Sequence, residues 1–282
     1  MTHPASVSRY RPSGLRSLSL GILAAAGFAV SASAETLRLG NEGVYPPFSM
    51  VDSAGNLTGV EPDLAREMCK RMGVECEFVV MDFKALIPSL LQGKFDVLVS
   101  QVIPTPERKE KLLFSTRVVA NPNVFIVPAE GEYEVTAEGL KGKGMKLALQ
   151  RGGALIPYAK ELLGDSVEYV LYDNPDQFHL DMTAGRVNMS FEAKLNAQTD
   201  FLSKPEGAAF KMAPGEHWMG EDVPEAERGL SWAVRKDQEE LLARMDEALT
   251  AIIADCTYTA IRKNYLDVSS LPEDEACAVK TN

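Results

Sequence analysis

The residues able to do chemistry begin with Arg108. Thr105-Pro106-Glu107-Arg108 has the form of a helix N-cap, a proline at the first helical position and a first turn. Unpaired N–H groups, the positive end of the helix dipole and a guanidinium able to make two parallel hydrogen bonds all favour a carboxylate there. The plainer alternative pairs Arg108 with Glu107 or Glu110 on a solvated helix face. A second candidate, Gly152-Gly153, allows close approach of backbone N–H groups to a ligand, or simply a tight turn. No Gly-Lys-Ser/Thr follows it, so it is not a phosphate loop. His179 and His217 lie in no nucleophile or metal constellation, and each reads as a surface or partner-satisfied side chain. No cofactor is expected. Cys69, Cys76, Cys256 and Cys277 read as two disulfides if the chain is exported; a metal site would need a nearby His or a C-x-x-C pair.

The elements that must position these groups follow a β-α alternation. Thr36–Gly40 is a strand, and Asn41 to Tyr45 is the loop leaving it. Phe48–Val51 and Leu57–Val60 form a hairpin around Ser53-Ala54-Gly55-Asn56. Pro62 opens a helix with Leu64, Ala65, Met68, Cys69 and Met72 on one face. Strand Glu77–Val80 leads to Phe83. Pro88 is best tolerated in a first turn, so the next helix is expected from Ala85 to Gly93, leaving Phe83 outside it. A short strand, Asp96–Val99, precedes the Thr105 cap. Beyond a crossing at Val124–Val127, strands are expected at Met145–Leu149, Val167–Leu171, Val187–Phe191 and Phe210–Ala213. Helices are expected at Ala154–Leu163 and from Asn174-Pro175 to Gly185. Pro214–Arg228 is a polar return crossing. Leu230–Val234 then re-enters the first unit, and helices over Gln238–Ile253 and Thr257–Tyr265 close the chain. This pattern predicts mixed, mainly parallel sheets flanked by helices, in two lobes joined by two crossings. Lobe 1 is residues 35–123 and 229–282, and lobe 2 is residues 124–228.

Residues 1–34 read as an export signal. Arg9, Arg11 and Arg16 form a basic start, Leu18–Val30 an apolar stretch, and Ala32-Ser33-Ala34 a cleavage site, so Glu35 begins the mature chain. A cysteine in place of Glu35 would have indicated a lipid anchor. The whole chain carries a net charge of −11; losing three arginines and no acids leaves −14. That excess makes nucleic acid a poor partner. An export signal without an anchor predicts a soluble, exported protein, and a monomer is expected.

Through GVYPPFSMVDSAGNLTGVEPDLAREMCKRM, ALIPSLLQGKFDVLVS, TPERKEKLLFS, DMTAGRVN and Tyr258–Tyr265, the chain resembles the polar-amino-acid type of periplasmic solute-binding protein, family 3. The resemblance implies a type II two-lobe fold that closes on its ligand like a hinged clamp, an inner-membrane ABC permease as partner, and bridges Cys69–Cys76 and Cys256–Cys277. It implies that Arg108 clamps the ligand's α-carboxylate with Ser100 and the Ile103 N–H, with Gln101 beside them. Tyr45 and Phe83 would sandwich the ligand's aliphatic part, and Glu42 would receive a cationic side chain.

There are three departures from the family pattern: Ile103 where a serine is usual, Gly153-Ala154 where polar residues are usual, and Ala193 where an aspartate receives the α-ammonium. Either Glu192 substitutes, or the ligand lacks a primary ammonium, as an opine does. Arg151, beside Gly152, is then placed to meet a second carboxylate. The expected ligand is a cationic amino acid (arginine, ornithine or lysine) or an arginine-derived opine. The alternatives are a carboxylate without an α-ammonium, or a secreted dehydratase of the cyclohexadienyl type in which Glu42 and Glu192 act as acid and base.

Overall fold

The computed structural model describes residues 35–219 and 228–280. The export-signal reading of residues 1–34 and most of the second half of the return crossing lie outside them. The strands are β1 (Thr36–Asn41), β2 (Val44–Tyr45), β3 (Ser49–Val51), β4 (Leu57–Thr58), β5 (Glu75–Val80), β6 (Val97–Val102), β7 (Leu112–Val119), β8 (Asn123–Pro128), β9 (Lys146–Gln150), β10 (Glu168–Tyr172), β11 (Met189–Ala193), β12 (Phe210–Met212) and β13 (Leu230–Arg235). The helices are α1 (Val60–Met72), α2 (Phe83–Leu91), α3 (Pro106–Lys111), α4 (Ala137–Leu140), α5 (Leu155–Leu163), α6 (Pro175–Thr183), α7 (Lys194–Asn196), α8 (Glu239–Ala254), α9 (Thr257–Arg262) and α10 (Pro272–Lys280). A π-helical turn spans Ala197–Leu202.

Two five-stranded sheets carry the architecture, ordered β5-β1-β6-β13-β7 and β10-β9-β11-β8-β12. In each, the three strands joined through helices run parallel, with Leu39 opposite Phe78 and Val97, and Leu147 opposite Tyr169 and Met189. The strands that arrive from the other sheet, β8 and β13, pair antiparallel with both of their neighbours. They enter from a crossing rather than after a covering helix, so the right-handed crossover that enforces parallel direction does not apply to them. The segment Val124–Val127, expected as a crossing, lies within β8.

Both sheets are apolar on both faces, as a helix-covered sheet must be. In the first, Leu37, Leu39, Val97 and Trp232 pack with Leu64 and Met68 of α1 and Met245 and Ile252 of α8. The opposite face joins Leu98, Val102 and Ala233 to Phe83, Leu86 and Leu90 of α2. In the second, Phe125 and Val127 face Ala159 and Leu163 of α5, while Val124 and Ile126 face Phe178 and Met182 of α6 and Phe201. The alternation along β8 is the two-residue period of a strand.

Helix α2 corrects one expectation. It begins at Phe83, not Ala85, and Pro88 sits inside it. The spacing of Phe83, Leu86 and Leu90 puts all three on the buried face, and that burial extends the helix back past the proline's preferred position. The carbonyl that Pro88 leaves without an amide belongs to Lys84, an exposed residue of the first turn. Cys69 is bonded to Cys76 and Cys256 to Cys277, with Cα separations of 6.1 and 5.5 Å. The first ties the end of α1 to β5, and the second ties α10 to the turn between α8 and α9.

Candidate functional site

Four parallel strands end at one cleft: β1 and β6 from the first sheet, β9 and β11 from the second. Ligands of open α/β sheets bind outside such carboxyl ends. The cleft encloses about 590 Å³, mouth included. Of the residues expected in the site, Glu42, Tyr45, Phe83, Gln101, Ile103 and Arg108 line its first wall, and Gly153 and Glu192 its second.

Glu42 follows β1 in a turn locked by Asn41. The Asn41 amide donates to the Val99 carbonyl, and its Oδ1 accepts from Gly43 N at 2.8 Å and from the Ser49 hydroxyl. Glu42 is thereby aimed inward and is 4% exposed. Its Oε1 accepts from Ser100 Oγ at 2.9 Å and its Oε2 from Gln150 Nε2 at 2.8 Å. Burial pushes its carboxyl up to about 7, and these two hydrogen bonds only partly offset the shift. Ser100, expected to hold a ligand carboxylate, instead spends its hydroxyl on Glu42 and does not line the cleft.

Arg108 stands where the Thr105 cap places it. Thr105 Oγ1 accepts from Arg108 N at 3.3 Å, so that amide is committed and the guanidinium is what remains for an anion. Its Nη1 donates to the Ile103 carbonyl at 3.0 Å, and its Nη2 donates to the Gly152 carbonyl of the opposite wall at 3.1 Å. It also lies over the Phe83 ring, 5.9 Å from the centroid. The solvated pairing with Glu107 does not form: Glu107 pairs with Lys111 at 3.2 Å. Burial pulls the guanidinium down to about 10, still charged at neutral pH.

On the second wall, Gly152 has φ +80°, and a Cβ there would lie 2.9 Å from Lys84 Cα. It is a close-approach glycine, seated on the first turn of α2 and presenting its carbonyl to Arg108. Arg151 is not brought into the cleft. It is exposed at the rim, where its Nε donates to Asp173 Oδ1 at 3.1 Å, and Lys84 reaches the same oxygen at 2.8 Å. Tyr45 accepts from Ala193 N at 3.4 Å; burial, with the charges of Glu192 and Glu42, raises its phenol well above the ordinary value.

Glu192 is buried in the second wall of the cleft. His179 Nε2 lies 3.0 and 3.1 Å from its two oxygens, and Ser190 Oγ donates to Oε1 at 2.6 Å. His179 is thus partner-satisfied. His217 meets Tyr158 OH at 2.8 Å, and burial lowers its pKa. Among the described residues no group of three side chains is arranged to hold a metal ion.

Gln150, Phe178 and Phe191 line the cleft and were not expected there, and the same holds for Asn123, Leu155, Pro175 and Leu230. Gln150 was legible in part, since it ends a strand just before the Gly152-Gly153 turn. Gln101 has one uncommitted donor: its Oε1 accepts from Asn121 at 3.3 Å, and its Nε2 is buried without a partner.

The model of the bacterial extracellular solute-binding proteins, family 3, matches residues 37–268. The lysine/arginine/ornithine-binding periplasmic protein of Escherichia coli K12 is 34% identical over 89% of this chain and 95% of its own. The histidine-binding periplasmic protein of the same strain is 31% identical over 89% of this chain and 96% of its own. Among solved structures, an ancestral arginine-binding protein bound to arginine superposes with a TM-score of 0.72 at 31% identity, covering 82% of this chain and 97% of that one.

Proposed function

The chain belongs to the bacterial extracellular solute-binding proteins of family 3, and from that membership we propose that it is the periplasmic receptor of an ABC importer for a cationic amino acid, arginine, ornithine or lysine, or for an arginine-derived opine. The ligand is captured, without turnover, by closure of two lobes, residues 35–123 with 229–282 and residues 124–228, and is delivered to an inner-membrane permease. The periplasmic relatives and the signal-like pattern of residues 1–34 support that address.

One observation carries the ligand class. A guanidinium and a buried carboxylate line the same cleft, and neither has an oppositely charged side chain in its hydrogen bonds: Arg108 donates only to carbonyls, and Glu42 accepts only from Ser100 and Gln150. A buried charge without a counter-charge is costly, so a ligand carrying a carboxylate at one end and a cation at the other satisfies both. Tyr45 and Phe83 supply apolar wall for the methylenes between.

Mature protein refolded to remove bound ligand tests the reading, by thermal shift against arginine, ornithine, lysine, glutamine, glutamate, octopine and nopaline. A ligand at a thousandfold excess over its Kd should stabilise the fold by about 4 kcal/mol. Shifts are expected with the cationic compounds, and the bound compound should be recovered unchanged. Shifts confined to glutamate or glutamine would overturn the assignment of Glu42, and silence across the panel would overturn the ligand class.

A further inference from the structure

A free amino acid whose carboxylate is held by Arg108 also brings an α-ammonium into the cleft, and a buried ammonium needs an anionic acceptor. Ala193, at the end of β11, offers a methyl group, and its N–H is committed to Tyr45 OH. Glu42 takes the side-chain cation at the other end. The charged side chains lining the cleft are Glu42, Arg108 and Glu192, which leaves Glu192.

We propose that Glu192 receives the ligand's amino group, and that His179 is the positioning residue that makes it able to do so. This rests on the amino-acid reading above and deepens it. To receive an ammonium Glu192 must act as an acceptor, and in that role the hydrogen between it and His179 Nε2 is the imidazole's. A single N–H shared between the two oxygens at 3.0 and 3.1 Å, with the Ser190 hydroxyl on Oε1, fixes the carboxylate plane and leaves Oε2 with unused acceptor capacity. The imidazole is itself immobilised. It stacks flat on Phe201, centroids 4.2 Å apart and 2° from parallel, and meets Phe178 edge-on at 4.7 Å. Phe178 in turn lines the cleft. The acceptor for the amino group is thus held from helix α6 by a side chain that does not line the cleft.

The test compares L-arginine with its des-amino analogue, δ-guanidinovalerate, by calorimetry. These share the carboxylate and guanidinium and differ only in the α-ammonium. Wild-type protein should prefer arginine by about tenfold or more, the ratio expected for one charge-assisted hydrogen bond. His179→Phe keeps an aromatic ring against Phe201 but removes the donor; the preference should collapse to within about threefold, with the loss borne by arginine alone. His179→Gln restores an N–H donor and should recover most of the ratio. Glu192→Gln, similar in size and uncharged, should abolish the preference even if the His179 variants fold poorly. Equal wild-type affinity for the two compounds would overturn the inference while leaving the cationic-ligand reading intact. So would a His179→Phe protein that loses both compounds alike, since that is the signature of a merely structural residue. If the wild type bound neither compound, the cationic-ligand reading would fall, and this inference with it.

Discussion

Gln150 Nε2 donates a 2.8 Å hydrogen bond to Glu42 Oε2, from the end of β9 in the second sheet to the loop after β1 in the first. It joins the two walls directly at the carboxylate proposed to receive the ligand's cation. The amide orientation follows from the chemistry, because only its NH₂ can face a carboxylate, and its carbonyl oxygen is then a second acceptor. Glu42→Gln should weaken binding of arginine by about 2–5 kcal/mol, the usual effect of removing one partner of a buried charge pair, and affect glutamine far less. Gln150→Ala should weaken arginine by about 1.5–3 kcal/mol, the range for a hydrogen bond to a charged group. Titration calorimetry of both variants checks this; retention of wild-type arginine affinity in Glu42→Gln would sink the assignment.

Arg108→Ala should lower affinity for every carboxylate ligand by about 2–5 kcal/mol. Arg108→Lys should recover only part of this, since an ammonium cannot span the Ile103 and Gly152 carbonyls while also meeting a carboxylate in two places. The same calorimetry decides the point, and unchanged affinity in the alanine variant would refute the clamp.

Binding should depend on pH through Glu42. Its carboxyl, pushed up to about 7 by burial, must be ionised to pair with a cation. Affinity should therefore rise with pH up to about 7 and level off above it, and between pH 8 and pH 5 the dissociation constant should change by about a hundredfold. A flat profile over that range would show that Glu42 is not the cation's partner.

Unliganded stability should run the other way. Glu61, buried in α1, accepts from Trp232 Nε1 at 3.1 Å on one oxygen and has no partner on the other; burial first, then the Trp232 bond opposing it and the charge of Glu42 adding to it, leave it at about 8. Both Glu42 and Glu61 lie above the ordinary carboxylate value. Their contribution is complete below the unfolded value, about 4.3, and is lost as pH rises through 7 and 8. Glu61→Gln keeps an acceptor for Trp232 and removes the charge. Its Tm should exceed the wild-type Tm at pH 8.5 and approach it at pH 5. Parallel melting curves for the two proteins at all pH values would rule out a buried ionisation at Glu61.

Much of this protein was determined within short stretches of sequence. Thr105-Pro106 fixes where α3 starts, so Arg108 stands one turn in whatever surrounds it, and Asn174-Pro175 does the same for α6, with Asn174 Oδ1 accepting from Gln177 N at 3.1 Å. The β-α alternation set the layered sheets, and a helix end followed directly by a strand set the Cys69–Cys76 bridge within reach. Tertiary structure decided which partner each polar side chain chose. Ser100 turned to Glu42 across 58 residues and Gln150 to the same carboxylate across 108. Arg151 went to Asp173 at the rim rather than into the cleft, and His179 to Glu192. The physical reason is range. Caps and turns are settled by backbone groups a few residues apart, whereas a charged or amide side chain takes the lowest-energy partner that the packed sheets bring within about 3 Å, and local sequence does not encode that meeting.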